Sequence, residues 1–193
     1  MTTDRDQQDL LSELDSLDLV RHMLADLHDD LRGKVSRFRQ LVDLSEVLGS
    51  SGTMLFGGEV SHVAWREARW SFIHGNFAAT VLLCQAMVEH TLAGFIEGGL
   101  LVGDLPQRIS FSETLRRCKE FAVVSDETAA ELERLMSLRN PLSHFRGIND
   151  PASLSGRVMM TLEPAEAHLR RDATFAIGLT IRVLALPQFR LGK

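Results

Sequence analysis

Arg134-Leu-Met-Ser-Leu-Arg139-Asn140-Pro141-Leu-Ser143-His144-Phe-Arg146 is the stretch on which the reading of this chain turns. From Arg139 to His144 an always-charged guanidinium, an amide, a hydroxyl and a titratable imidazole fall within six positions around a helix-breaking proline. On an unbroken helix, at about 100° per residue, Arg139 and His144 would point roughly 140° apart. Pro141 disfavours helical geometry at Asn140 and removes one backbone donor. The chain is therefore expected to bend or restart between the two residues and to turn both side chains toward one cleft.

The bare pattern, Arg followed by His after four to six residues, carries little weight. Eighteen arginines and seven histidines in 193 residues give about two chance matches at those spacings. The chain holds three: Arg21 to His28, Arg69 to His74, and Arg139 to His144. Only the third has an Asn directly after the Arg, a proline break, and a place between a helix and a long polar loop. Arg21 and His28 lie on an acidic amphipathic stretch that suits a solvated face. Arg69 and His74 flank Trp70, Phe72 and Ile73, where His74 closes a helix before Gly75.

Composition points to an all-helical chain: 193 residues, five prolines, no tyrosine, and abundant Leu, Ala, Glu and Arg. One core with an appended element fits this length. No basic region followed by an apolar one marks a secretory signal, and the longest apolar run, Phe77 to Ile96, carries Gln85, Glu89 and His90 at its middle. A soluble, cytoplasmic protein with no membrane span is the expectation. Cys84 and Cys118 sit in apolar helical settings, too few and too far apart in sequence for a metal pattern, and read as reduced core thiols.

Charge is uneven. The net value is −5, yet residues 1–103 carry 8 basic and 15 acidic groups while residues 104–193 carry 13 and 11. The basic half holds the motif. Arg116, Arg117, Lys119, Arg134, Arg146, Arg157, Arg170 and Arg171 form either a phosphate-attracting surface or ordinary solvated helix faces.

In chain order, residues 5–48 read as one long amphipathic helix or two, with Leu10, Leu14, Leu17, Leu24, Leu31, Val35, Phe38 and Val42 at three- and four-residue spacing. The stripe has heptad character, interrupted by Arg21 and His28, and Gly33 is a place for a bend. Such an arm packs back on its own domain or pairs with a partner helix. Glycines and serines at 49–58 suggest a mobile connection, which divides the chain into an arm (1–50), a linker (51–58) and a helical domain (59–193). Within the domain a helix over 59–74 turns Val60, Val63, Ala64, Ala68 and Phe72 inward, and the 77–96 helix forms the core. Glu89 and His90 on it either reach a shared cleft or make a satisfied core contact. Ser110 or Ser112 caps a helix with Leu115, Cys118, Phe121 and Ala122 inward, and Ser125 starts another that runs to Arg139 on Ala129, Leu132, Leu135, Met136 and Leu138. Residues 145–161 read as a surface loop. Pro164 opens a last helix that Pro187 ends.

This order of helices, with Arg139-Asn140-Pro141-Leu-Ser143-His144 before the final one, resembles the HEPN superfamily across roughly residues 59–190. The resemblance implies an up-and-down bundle of about five helices, with the arm outside it. It also implies a metal-independent RNA endonuclease that works without a cofactor as a symmetric dimer, the two motifs meeting across the interface. The roles it suggests are toxin or antiviral effector, with an antitoxin or a nucleotidyltransferase as partner.

The residues suit that chemistry. A ribose 2′-hydroxyl attacks its own phosphodiester, which needs a proton acceptor, a proton donor and a cation at the phosphorane, and leaves a 2′,3′-cyclic phosphate and a 5′-hydroxyl. His144 brings an imidazole, the side chain that exchanges protons near neutral pH, and Arg139 a forked pair of donors. Asn140 is placed to orient the imidazole or bind phosphate, while Ser143, Arg146 and Arg134 are candidate substrate contacts. Two other readings stay open: a non-catalytic HEPN module that binds RNA or a partner, and a helical adaptor whose arm mediates assembly.

Overall fold

The computed structural model describes residues 30–99 and 108–191, together with positions 17, 20, 21, 24 and 25. Among the described residues the chain forms seven α-helices: α1 (Leu31–Ser45), α2 (Gly58–His74), α3 (Phe77–Gly98), α4 (Phe111–Glu120), α5 (Asp126–Ser143), α6 (Leu154–Thr161) and α7 (Ala165–Leu184). Short 3-10 turns follow α1 at Glu46–Leu48 and α7 at Pro187–Phe189. Among the described residues the fold is all-α, as expected, and each helix anticipated between residues 59 and 187 is present.

α6 is an addition. Residues 145–161 were expected to be loop throughout, but only their first part is. Ser153 caps the helix, its Oγ accepting the Gly156 N–H at 2.9 Å. Gly156 lies so close to the preceding turn that an added Cβ would sit 3.1 Å from the Pro151 Cα. A cap and a close approach thus prevail over a turn-rich composition.

α3 is the centre of the fold and packs against α2, α4, α5 and α7. Its Val81, Cys84, Met87, Val88, Leu92 and Ile96 have no exposed surface. By length and composition α3 alone among the described residues is apolar enough to cross a membrane, with half of the relevant window buried inside the fold. That burial is what a core helix shows. α7 is nearly as enclosed, with Ala173, Ala176, Ile177, Leu179, Ile181, Val183 and Leu184 buried. Phe56, Phe95 and Phe189 meet edge to face, centroids 5.1 to 6.0 Å apart, and fasten the carboxy-terminal turn to α3.

Two inner faces differ from the sequence pattern. On α2, Ala64, Ala68 and Phe72 are buried, but Val60 and Val63 are 49% and 44% exposed and Ser61 points inward instead. The reason is the Phe56–Gly57 segment, which crosses α3 so closely that a methyl group on Gly94 would lie 2.8 Å from the Gly57 Cα. Ser61, its Oγ 3.4 Å from the Thr91 hydroxyl, fits under that crossing where a valine would not. Gly94→Ala is therefore expected to force two backbones apart and cost about 1–3 kcal/mol, read as a lower melting temperature. After α4, Ala122 adopts a left-handed φ of 53° and turns the chain, leaving Phe121 41% exposed while Val123 and Val124 are buried.

About half of the segment assigned to the arm lies outside the described residues, but its last part does not stand apart. α1 packs on α2 and α7. Arg37, only 6% exposed, donates from Nε to the Ile73 carbonyl at 2.8 Å and from Nη2 to Asp30 at 2.8 Å. A cation thereby sits on the carbonyl end of α2, where the helix dipole favours it. Leu41 is buried and Leu44 and Leu48 are half-buried, whereas Leu31, Val35, Phe38 and Val42 face outward. Gly33 lies inside the first turn of α1.

The glycine-rich connection is also held. The Met54 N–H donates to the Phe189 carbonyl at 2.8 Å and the Leu191 N–H to the Gly52 carbonyl at 2.9 Å. The Arg190 guanidinium bonds Thr53 Oγ1 and the Leu48 and Ser51 carbonyls.

Both cysteines are free and buried. Burial pushes the Cys84 thiol up to about 12, with a smaller opposing hydrogen bond from Thr180, and pushes Cys118 to about 12 as well. Thiols that ionise near 8.5 when unfolded and near 12 when folded bind more protons in the native state. Their contribution to stability is thus complete below about pH 8.5 and lost progressively above it. Denaturant midpoints should fall from about pH 9 upward, and a Cys84→Ser, Cys118→Ser chain should lose that decline.

Candidate functional site

α5 begins at Ser125, whose Oγ accepts the Thr128 N–H at 3.1 Å, and buries Ala129, Leu132 and Leu135 against α3 and α7. Glu131 pairs with Arg182 of α7 at 2.6 Å, and the Arg134 guanidinium stacks on Phe175 of α7, 4.3 Å from the ring centroid. These contacts fix the helix that carries the motif.

The helix does not break at Pro141. It continues to Ser143, with Pro141 inside its last turn, and the chain leaves helical geometry at His144, which is extended with φ −128° and ψ 136°. A proline so near the end removes the N–H that would have bonded the Ser137 carbonyl and nothing further along. The turn then closes on the His144 N–H, which donates to the Asn140 carbonyl at 3.0 Å. The departure needed to free His144 from the helical wheel comes four residues later than the proline rule suggests.

Arg139, Asn140 and His144 consequently fall within about one and a half turns of backbone. Arg139 and Asn140 are half-buried; Ser143 and His144 are exposed. The side chains of Arg139 and His144 make no hydrogen bond or ion pair among the described residues. Ser143 lies one turn beyond Arg139 on the same face, its hydroxyl near the Arg139 and Asn140 carbonyls at 3.4 and 3.3 Å.

Arg134 is not part of this group. Five positions from Arg139 on an unbroken helix, it projects from a side roughly 140° away, over Phe175. Arg146 is engaged too, pairing with Asp150 at 3.3 Å across the loop, while Asp150 also accepts the Ala152 N–H at 2.8 Å.

Most of the remaining basic surface is likewise neutralised within the chain. Glu113 is gripped by Arg116 at 2.6 Å and Arg117 at 2.7 Å, and their guanidiniums, Arg116 foremost, hold its carboxyl down at about 2. Lys119 pairs with Asp126, Arg157 with Asp172 and Arg171 with Glu163. Of the cations considered as a phosphate-attracting surface, Arg134 and Arg170 have no carboxylate partner among the described residues, and Arg139 shares that property.

A polar cluster that the sequence pattern did not reveal lies behind the motif loop. Asp172, 6% exposed, accepts two bonds from Arg157, at 2.5 and 3.0 Å. His168, 3% exposed, faces Arg157 and Arg171 with Nδ1 at 3.3 and 3.0 Å and Thr161 with Nε2 at 2.9 Å. Guanidinium only donates, so Nδ1 accepts and Nε2 carries the hydrogen. The cluster ties α6 to α7 and so anchors the far end of the loop that starts at His144. A histidine and an aspartate four apart on one helix, with an arginine in the preceding segment, were its only trace in the sequence.

Glu89 and His90 line a separate cavity of about 690 Å³ with Gly57, Gly94, Glu97 and Arg108. Neither Arg139 nor His144 borders it. Among the described residues no three His, Cys, Asp or Glu side chains converge as a metal site.

Comparison with protein-family models, curated proteins and solved structures found no match for this chain.

Proposed function

We propose that the chain is a helical domain that acts on nucleic acid through the carboxy-terminal end of α5. More narrowly, it is a HEPN-type RNA endonuclease that needs no metal. The observation that carries this reading is the pairing pattern: the side chains of Arg139 and His144 stand unpaired five positions apart at the end of α5, while Arg116, Arg117, Arg146, Arg157 and Arg171 are bound to carboxylates. A guanidinium and an imidazole left without internal partners are available to a phosphodiester.

In the proposed reaction a base takes the 2′-hydroxyl proton, O2′ bonds to phosphorus, the P–O5′ bond breaks, and an acid returns a proton to O5′. His144 serves as one of these groups, and His144 of a second copy across a two-fold axis supplies the other. Arg139 donates to the phosphorane oxygens and Asn140 orients the imidazole. DNA lacks the nucleophile. A toxin or antiviral role with an inhibitory partner belongs to the same reading.

The second reading, a non-catalytic module that binds RNA or a protein, draws on Phe145 and Ile148, which are 97% and 64% exposed beside His144. An aromatic ring so placed suits base stacking or a protein contact. The two readings separate when the purified chain is incubated with end-labelled RNA in EDTA. Fragments ending in a cyclic phosphate support the nuclease, and retention of intact RNA supports the binding module.

A further inference from the structure

The cavity of about 690 Å³ beside the end of α3 has the size of a small-molecule site and no part in the chemistry proposed for α5. Gly57, Ala93, Gly94 and Gly98 line it without bulk, so the ionisable groups around them set its character. Glu89, His90 and Glu97 come from α3 and Arg108 from the segment before α4. None of these four side chains makes a hydrogen bond or ion pair among the described residues, although two carboxylates and a guanidinium border one cavity. Elsewhere the fold pairs such groups: Glu113 with Arg116 and Arg117, Glu163 with Arg171, Asp172 with Arg157.

Glu89, Ala93 and Glu97, four apart, fall on one stripe of α3. The Cα atoms of the two glutamates are therefore about 12 Å apart along the helix, with only a methyl group between them. That spacing suits two cationic groups joined by a short chain. A metal ion is not the match, since no three His, Cys, Asp or Glu side chains converge among the described residues.

Charge then selects the ligand. Two carboxylates and one guanidinium, with an imidazole beside them, complement a molecule that carries two cationic groups and one anionic group. An anion alone is repelled by the carboxylates, and a plain diamine leaves Arg108 without a partner. We propose that this cavity binds a free dibasic α-amino acid, its α-carboxylate on Arg108 and its α-ammonium and side-chain cation on Glu89 and Glu97. The guanidinium offers the carboxylate a forked pair of donors. The site is separate from His144 and does not depend on the activity proposed there.

Calorimetric titration of the full-length chain with L-lysine and L-arginine tests it. Binding of at least one of them at millimolar concentration or below is expected, weakened about tenfold or more by Arg108→Gln and by Glu97→Gln, each of which removes one charge-assisted contact. Putrescine, which lacks the carboxylate, should bind about tenfold more weakly than the amino acid. Glu97 and Arg108 are exposed, and unchanged circular dichroism melts will show that the variants remain folded. Absence of heat with both amino acids overturns the proposal. Binding that neither variant weakens overturns it too, as does putrescine or L-glutamate binding as tightly as the basic amino acids.

Discussion

Replacing His144 by alanine is expected to lower RNA cleavage by about 10²–10⁴-fold, the usual contribution of a positioned proton-transfer group. The melting temperature should hardly move, because His144 is exposed and its imidazole has no hydrogen-bond partner among the described residues. Arg139→Ala should do comparable damage for a different reason, the loss of the forked donors that match a phosphate. Arg139→Lys keeps the charge without the fork and should recover only part of the rate. Cleavage that survives both alanine variants would remove the nuclease reading, and loss of binding without any cleavage in the wild type would leave the module reading.

The largest stability effect is expected at a residue that touches nothing catalytic. Asp172→Ala leaves Arg157, whose side chain is 25% exposed, without the carboxylate it grips at 2.5 and 3.0 Å. Stranding one member of such a pair costs about 3–5 kcal/mol, which for a chain of this size lowers the melting temperature by about 2–4 °C per kcal/mol. Replacing both partners with apolar groups, Arg157→Met with Asp172→Leu, should recover much of the loss, since no charge then stays buried alone. A single Asp172→Ala change that leaves the melt untouched would mean that water already screens the pair.

The sequence made some of this legible and hid the rest for physical reasons. Ser125, and Ser110 of the pair Ser110 or Ser112, announced two helix starts because a cap is a local device: in each case the hydroxyl accepts from the N–H three residues on. The central place of α3 followed from its nearly all-round apolar composition, and the buried positions Ala129, Leu132 and Leu135 of α5 from periodicity. The placement of α1 did not, because its apolar row and its packed face are different faces, and the packed one is organised by Arg37 reaching Ile73, 36 positions away. Pro141 misled because a rule about helix interiors was applied to a last turn. At the site, residue identity could be read directly. Pairing was legible only where it is local, as for Glu113 with Arg116 and Arg117 at three and four residues. The cation over Phe175 and the bonds of His168 and Asp172 join segments whose proximity only the fold creates.

Arg190 bears on the order in which this protein comes into being. Its guanidinium closes on Leu48, Ser51 and Thr53 across 137 to 142 residues of chain, so that latch cannot engage until Arg190 has emerged from the ribosome. Until then the start of the domain lacks its final fastening, and a nascent chain stalled before that point would expose the ring of Phe56 that Phe189 should cover.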